Sequence, residues 1–191
     1  LFILNPTTAT NEGYLANIIY QRHFSVLEHA SATFYIDGVS RNFTHELIRH
    51  RNLSFSEVSQ RYVDVSEFKI ALHPGLSQWL DTDPETDVGR EDLMHAIDDT
   101  AKDAYRLAAS DLVTHHGYSR KEARQAARHV LPSGLETKIL VTGNMRAWRE
   151  VLEKRLSPTA DKEFQLVAQK ILAKLREIAP NTFQDFDEEE L

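Results

Sequence analysis

Three arginines, a histidine, a glutamate and three serines crowd into the fourteen residues Arg49-His50-Arg51-Asn52-Leu53-Ser54-Phe55-Ser56-Glu57-Val58-Ser59-Gln60-Arg61-Tyr62, a run with no sustained period. An arginine fork binds phosphate through two parallel hydrogen bonds and hydroxyls add short-range donors. A structured loop lets all of them converge on one ligand. These are the residue types that a nucleotide phosphate site needs.

The rest of the composition narrows the chemistry. The chain has no cysteine, which removes disulfides, thiolate zinc sites and every mechanism that needs a cysteine nucleophile. With 22 Lys plus Arg against 29 Asp plus Glu, the net charge of −7 argues against a general binder of nucleic acid or anionic membrane. Any anion site is therefore a local cluster of arginines. No metal is expected: His45 and His50 lie five apart and on a helix point about 140° away from each other, unlike the spacing of H-E-x-x-H. Ser59 has neither Ser-His-acid logic nor a G-x-S-x-G elbow around it, so it reads as a binding hydroxyl. Arg120, Arg124 and Arg128 recur every fourth residue, a spacing more typical of a solvated face, and of the three Arg128 lies opposite the alanines of that helix.

Periodicity gives the elements that must hold these residues. Thr10 or Asn11 caps a helix through Tyr14, Leu15, Ile18 and Ile19, and residues 31–36 alternate as a strand ended by a turn at Asp37-Gly38. Val39, Phe43 and Leu47 suggest a helix running into Arg49, and residues 51–61 a structured loop. Residues 62–65 and 68–72 look like strands, and 73–89 like a surface excursion. A long helix is expected to bury Leu93, Ala96, Ile97, Ala101, Ala104, Leu107, Ala108 and Leu112 and to stop at Gly117. A capping box at Ser119 and Glu122 opens a helix burying Ala123, Ala126, Ala127 and Val130, closed by Leu131-Pro132. Residues 138–142 read as a strand, Met145, Trp148 and Leu152 as a helix, and Ser157-Pro158 as the cap of a last helix; the acidic tail from Asp185 reads as frayed. The expected fold is one α+β domain over residues 1–191, a mostly antiparallel sheet packed with helices. The first residue is Leu, not Met, and an N-terminal piece of the natural protein is expected to be missing. No apolar run approaches bilayer length, so a cytoplasmic protein without a membrane partner is expected.

The segment from Arg49 to Ser59 and Arg61 resembles the signature of the flavin-dependent thymidylate synthases: Arg-His-Arg, seven variable residues, Ser, and usually a further Arg. Four fixed positions at about one in twenty each would arise by accident in such a chain roughly once in a thousand. The resemblance extends to His23-Phe24-Ser25-Val26-Leu27-Glu28-His29, to His45-Glu46-Leu47-Ile48-Arg49, to 126–132 and to 142–149, and so covers most of 8–186.

This resemblance implies the fold named above and a homotetramer with FAD sites shared between subunits. The implied reaction is reductive methylation of dUMP to dTMP, with 5,10-methylenetetrahydrofolate as carbon donor, FAD as hydride carrier and NADPH as reductant. Position by position it implies that Arg49, His50, Arg51 and Glu57 meet the flavin, with Asn144 and Arg146 from a neighbouring subunit, and that Ser25 touches FAD while His23 lines the flavin and folate side. Glu46, Arg49, Glu57, Ser59, Gln60, Arg61, Arg128 and Arg155 are implied to hold dUMP. Arg155 is the candidate catalytic residue, polarising the pyrimidine in place of a thiolate. Glu150 stands where the family usually has His or Asn facing FAD, and a carboxylate there repels an anionic reduced flavin unless it is protonated or turned away. Two other readings stay open on the sequence: a colourless nucleotide- or RNA-binding module built on the arginine loop, and a flavoprotein with altered chemistry.

Overall fold

Local capping chemistry fixes most helix starts. The computed structural model describes residues 9–81 and 89–186. Helix α1 (Asn11–Tyr20) begins where the Thr10 hydroxyl accepts from the Gly13 amide at 3.1 Å. A 3-10 turn (Phe24–His29) leads into β1 (Ser31–Ser40), followed by α2 (Arg41–Leu47), β2 (Leu53–Glu57), α3 (Pro74–Leu80) and α4 (Arg90–Thr114). The box expected at Ser119 and Glu122 is formed and opens α5 (Arg120–Ala127). Then come β3 (Glu136–Asn144), α6 (Met145–Arg155) and α7 (Lys162–Ile178). None of the described helices is long and apolar enough to cross a membrane.

The sheet has the order β1-β3-β2. Opposed directions are visible in the pairs: Thr33 meets Thr142 while Asp37 meets Lys138, and Leu53 lies against Gly143 while the Val58 amide donates to the Lys138 carbonyl. Both pairings are thus antiparallel, and with the helices they give the expected α+β class.

Contacts group the chain into two compact units, and each strand contributes residues to both. The first comprises Leu1–Tyr35, Ile48–Phe55 and Leu140–Leu191. Its core gathers around Trp148, Leu152, Phe164, Leu172 and Leu175, all fully buried. The Trp148 indole donates to the Ala32 carbonyl at 3.1 Å, and Phe34 stands edge-on to its ring with centroids 5.0 Å apart. Gly143 makes this approach possible, since a Cβ there would sit 2.3 Å from a methyl of Leu53 and 3.3 Å from the indole nitrogen. The second unit, Ile36–Leu47 and Ser56–Ile139, packs Val65, Tyr105, Ala127 and Leu135 with Phe68 and Leu131.

Several sequence expectations change. The strand from Ser31 does not stop at Asp37-Gly38: Gly38, with φ of 72°, takes the left-handed conformation inside β1, which runs on to Ser40 and absorbs Val39. The expected loop 51–61 contains β2, where Leu53 is buried while Ser54 and Ser56 face outward; serines of low strand preference hid the alternation. Residues 62–72 form no strand. They meet their backbone needs by turns and one isolated bridge between Ile70 and Leu135, while Val65 enters the core from irregular chain. The expected excursion holds α3, and residues 82–88 lie outside the described residues.

On α4 the predicted stripe holds only in part: Ala108 packs, together with the unpredicted Tyr105 and Ala109, whereas Leu93 is 56%, Ile97 47% and Leu107 64% exposed. Ala126 and Val130 are exposed as well. Helix α7 is capped not by Ser157 but by Asp161, whose carboxylate accepts from the Glu163 and Phe164 amides at 2.9 and 3.2 Å.

Asp185, expected in a frayed tail, is held. The Arg149 guanidinium forks onto it with bonds of 2.7 and 2.6 Å and also donates to the Thr182 carbonyl at 2.7 Å, with Phe24 and Phe186 near its faces. The Arg149 side chain is 5% exposed and that of Asp185 39%, so the two partners are not equivalent. Removing the carboxylate leaves a buried cation whose remaining carboxylate, Glu153, is 3.9 Å away and exposed, whereas removing the cation leaves a carboxylate that water can reach. Asp185→Ala should therefore lower unfolding stability by about 3 kcal/mol and Arg149→Met by clearly less. Urea unfolding midpoints check the order, and equal losses would show that the guanidinium is not stranded.

Candidate functional site

Helix α6 supplies one wall of the candidate site. Its period buries Trp148, Val151 and Leu152, so Arg146, Glu150 and Lys154, spaced by four, share another face. Asn144 caps this helix, its Oδ1 accepting from the Ala147 amide at 2.8 Å. Two hollows adjoin along that face within the first unit. One, of about 200 Å³, is lined by Arg49, His50, Arg51, Asn52, Glu150 and Lys154. The other, of about 380 Å³, is lined by Glu28, Asn52, Asn144, Arg146 and Glu150.

Arg155, at the end of α6, is fixed from two sides. Its Nε donates to Nε2 of His50 at 3.0 Å, and its guanidinium lies over the Phe164 ring at 4.4 Å. The His50 ring meets the same phenyl edge-on at 5.9 Å. Burial lowers the His50 pKa from 6.5 to about 4, assisted by the positive charges of Arg155 and Lys154 and opposed by Glu150. His50 is therefore neutral at physiological pH.

Glu150 accepts from Lys154 Nζ at 2.6 Å and from Asn52 Nδ2 at 3.1 Å. The bond from Lys154 does most to hold its carboxyl below the usual carboxylate range, against the opposing effect of burial, and the bond from Asn52 adds to it. The carboxylate on the wall is thus ionised, and Lys154 balances it. Arg146 pairs in the same way with Glu28.

The first unit thus brings together Arg49, His50, Arg51, Asn144, Arg146 and Glu150, with Arg155 against His50. His23 and Ser25 lie exposed at the 3-10 turn before β1. The second unit holds the other candidates. Glu57 gathers the Thr44 hydroxyl at 3.0 Å, the Thr137 hydroxyl at 3.1 Å and Arg41 at 3.1 Å, all on Oε1, the last an ion pair without hydrogen-bond geometry. Ser59 starts a turn, its carbonyl accepting from the Tyr62 and Val63 amides at 3.0 Å. Gln60 is buried, and Arg61 has a buried Nε without a hydrogen-bond partner among the described residues. Arg128 ends α5, and Glu46 lies on α2.

Sequence reasoning did not single out Asn52, Lys154 or Glu28 as site residues. The four-residue step from Glu150 to Lys154 was a readable sign of pairing on a helix. Asn52 and Glu28 come together with the wall only in three dimensions.

The lining chemistry fits a flavin dinucleotide. Guanidiniums suit a pyrophosphate, amides of Asn52 and Asn144 suit a polar ring edge, and a neutral imidazole with compensated carboxylates leaves no uncompensated negative charge to repel it.

The His50 shift has a consequence for stability. In the unfolded chain the imidazole takes up a proton below about 6.5, while in the folded protein it stays neutral to about 4. Between these values the unfolded state binds more protons, so His50 makes stability fall as pH falls through that window. His50→Gln removes this contribution. The difference in melting temperature between pH 7 and pH 5 should be smaller in the variant than in the parent, and an unchanged difference would mean that His50 titrates normally.

Comparison with known proteins bears on identity. Residues 4–181 match the family model described as thymidylate synthase complementing protein. The chain is 46% identical over 189 residues to a flavin-dependent thymidylate synthase of Mycobacterium avium, with 96% of this chain and 72% of the relative covered. The same coverage holds for a flavin-dependent thymidylate synthase of Mycobacterium tuberculosis, 46% identical over 193 residues, and for one of Mycobacteroides abscessus, 45% over 194 residues. A family model spanning nearly the whole sequence, and relatives aligned along 96% of it, support one conclusion: the chain belongs to the family of the flavin-dependent thymidylate synthases.

Proposed function

We propose that the chain converts dUMP to dTMP, with 5,10-methylenetetrahydrofolate as carbon donor, FAD as hydride carrier and NADPH as reductant. One observation carries this reading at the level of chemistry: in a chain without cysteine, the Arg155 guanidinium is immobilised between the neutral signature histidine His50 and the face of Phe164.

C5 of uracil is a poor nucleophile, and the usual remedy is a thiolate that adds to C6. That route is closed here. The alternative is to stabilise negative charge on the ring while C5 attacks, and a fixed guanidinium does this without reorganising during the reaction. When bound, the flavin supplies the hydride that completes the methyl group.

The roles of the other residues follow. Arg49, His50, Arg51, Glu57, Asn144, Arg146 and Glu150, with His23 and Ser25, are proposed to hold the flavin. Glu46, Arg49, Glu57, Ser59, Gln60, Arg61 and Arg128, with Arg155, are proposed for dUMP. Two partners of Glu150 support placing a carboxylate there: Lys154 balances its charge and Asn52 donates to its second oxygen. A homotetramer with shared sites and a cytoplasmic location belong to the same proposal.

The purified protein should be yellow and should release the C5 hydrogen of dUMP when given reductant and methylenetetrahydrofolate; a colourless preparation with steeply salt-dependent polynucleotide binding would replace this reading with a nucleic-acid module. Arg155→Ala should retain FAD and lose on the order of 10²- to 10³-fold in turnover, the scale of one preorganised donor. Undiminished dTMP formation would remove Arg155 from the mechanism. Ser59→Ala should weaken dUMP binding by about tenfold, the worth of one ordinary hydrogen bond, with turnover persisting at saturation. Complete inactivity at normal dUMP affinity would make Ser59 a nucleophile instead.

A further inference from the structure

We infer that His50 is a positioning residue for Arg155, using its Nε2 lone pair to fix the orientation of the guanidinium. The inference goes beyond the flavin contact expected of this histidine and rests on the reading of Arg155 as the group that polarises the pyrimidine.

The direction of the bond decides the chemistry. Arginine Nε carries a hydrogen and has no acceptor capacity, so in the 3.0 Å contact Nε2 of His50 is necessarily the acceptor. A neutral imidazole that accepts at Nε2 carries its hydrogen at Nδ1, and the tautomer is thereby set. The bond restrains the guanidinium within its plane. The Phe164 ring, its centroid 4.4 Å from the guanidinium carbon, adds a second restraint, and the edge-on contact of the same ring with His50 at 5.9 Å ties the histidine to the same support. Two restraints leave the guanidinium little freedom, and a charge that must meet developing charge depends on such fixity.

Protonation of His50 would abolish the acceptor and set an imidazolium against a guanidinium. The charged groups that act on His50 are Arg155, Lys154 and Glu150, all on α6; its aromatic neighbour on α7 is the uncharged Phe164. Burial and the two cations outweigh the one carboxylate and keep the acceptor available. On this account the only hydrogen bond that His50 can donate to a ligand comes from Nδ1, on the ring edge away from Arg155.

A double-variant cycle on the FAD-loaded protein tests this. His50→Leu removes the acceptor and should lower turnover per bound flavin about 100-fold with little change in the KM for dUMP, the cost of a misplaced catalytic group. His50→Gln, whose side-chain oxygen can accept from Nε, should recover most of that loss. The double variant His50→Leu, Arg155→Ala should be no slower than Arg155→Ala alone. Additive losses would overturn the inference, as would reduced FAD occupancy with unchanged turnover per bound flavin, which is the signature of a flavin contact. If Arg155→Ala is crippled while His50→Leu keeps full activity, the positioning role falls and the proposed function stands; if Arg155→Ala keeps full activity, both fall. Nitrogen chemical shifts of the imidazole in the parent protein provide a readout independent of activity and of the stability of any variant. They should show unprotonated Nε2 and protonated Nδ1 from pH 5.5 to 8, and a titration near 6.5 or a protonated Nε2 would overturn the assignment.

Discussion

The hydrogen bond from the Trp148 indole to the Ala32 carbonyl, made inside the apolar core of the first unit, anchors the helix on which the candidate site depends. An indole N–H buried without an acceptor would cost on the order of 1–3 kcal/mol, so the helix can seat only where that carbonyl is in reach. Gly143 lets the chain enter at the required distance, and Asn144 then caps the helix one residue later. With rotation about the helix axis set, the directions of Arg146, Glu150, Lys154 and Arg155 follow from the 3.6-residue period.

The site manages charge by pairing rather than by accumulation. Each carboxylate lining the hollows has a cationic partner: Glu150 has Lys154, and Glu28 has Arg146. His50, which could have added a positive charge beside Arg155, is instead kept neutral by burial and by that arginine. The outcome is a guanidinium whose Nε is bonded to an uncharged acceptor. That bond cancels less of its field than one to a carboxylate would.

Much of this was legible in the sequence where local rules operate alone. Thr10, Ser119-Glu122 and the 145–152 period marked helices because caps and periodicity are settled within a turn or two. The signature and its companion blocks indicate the family from residue types and spacing alone. What remained hidden depended on distant partners. Leu53–Glu57 reads as a loop until β3 is placed beside it, and Val65 and Phe68 read as strand residues until the chain is seen to bury them from turns. The stripe on α4 misled because apolar spacing records which residues could be covered, and this unit covers Tyr105 rather than Leu93 and Leu107. His50 shows the limit most clearly: its place in the motif was plain, but its tautomer depends on an arginine 105 positions later.

Arg149 sits one residue before Glu150 on α6 and, about 100° round the helix, points into the fork with Asp185. The wall of the hollows and the closing stretch of the described chain are therefore one cooperative unit, and neither opens without exposing the guanidinium. A segment that looks like an appendage in the linear sequence is thus part of the scaffold that keeps the chemistry in register.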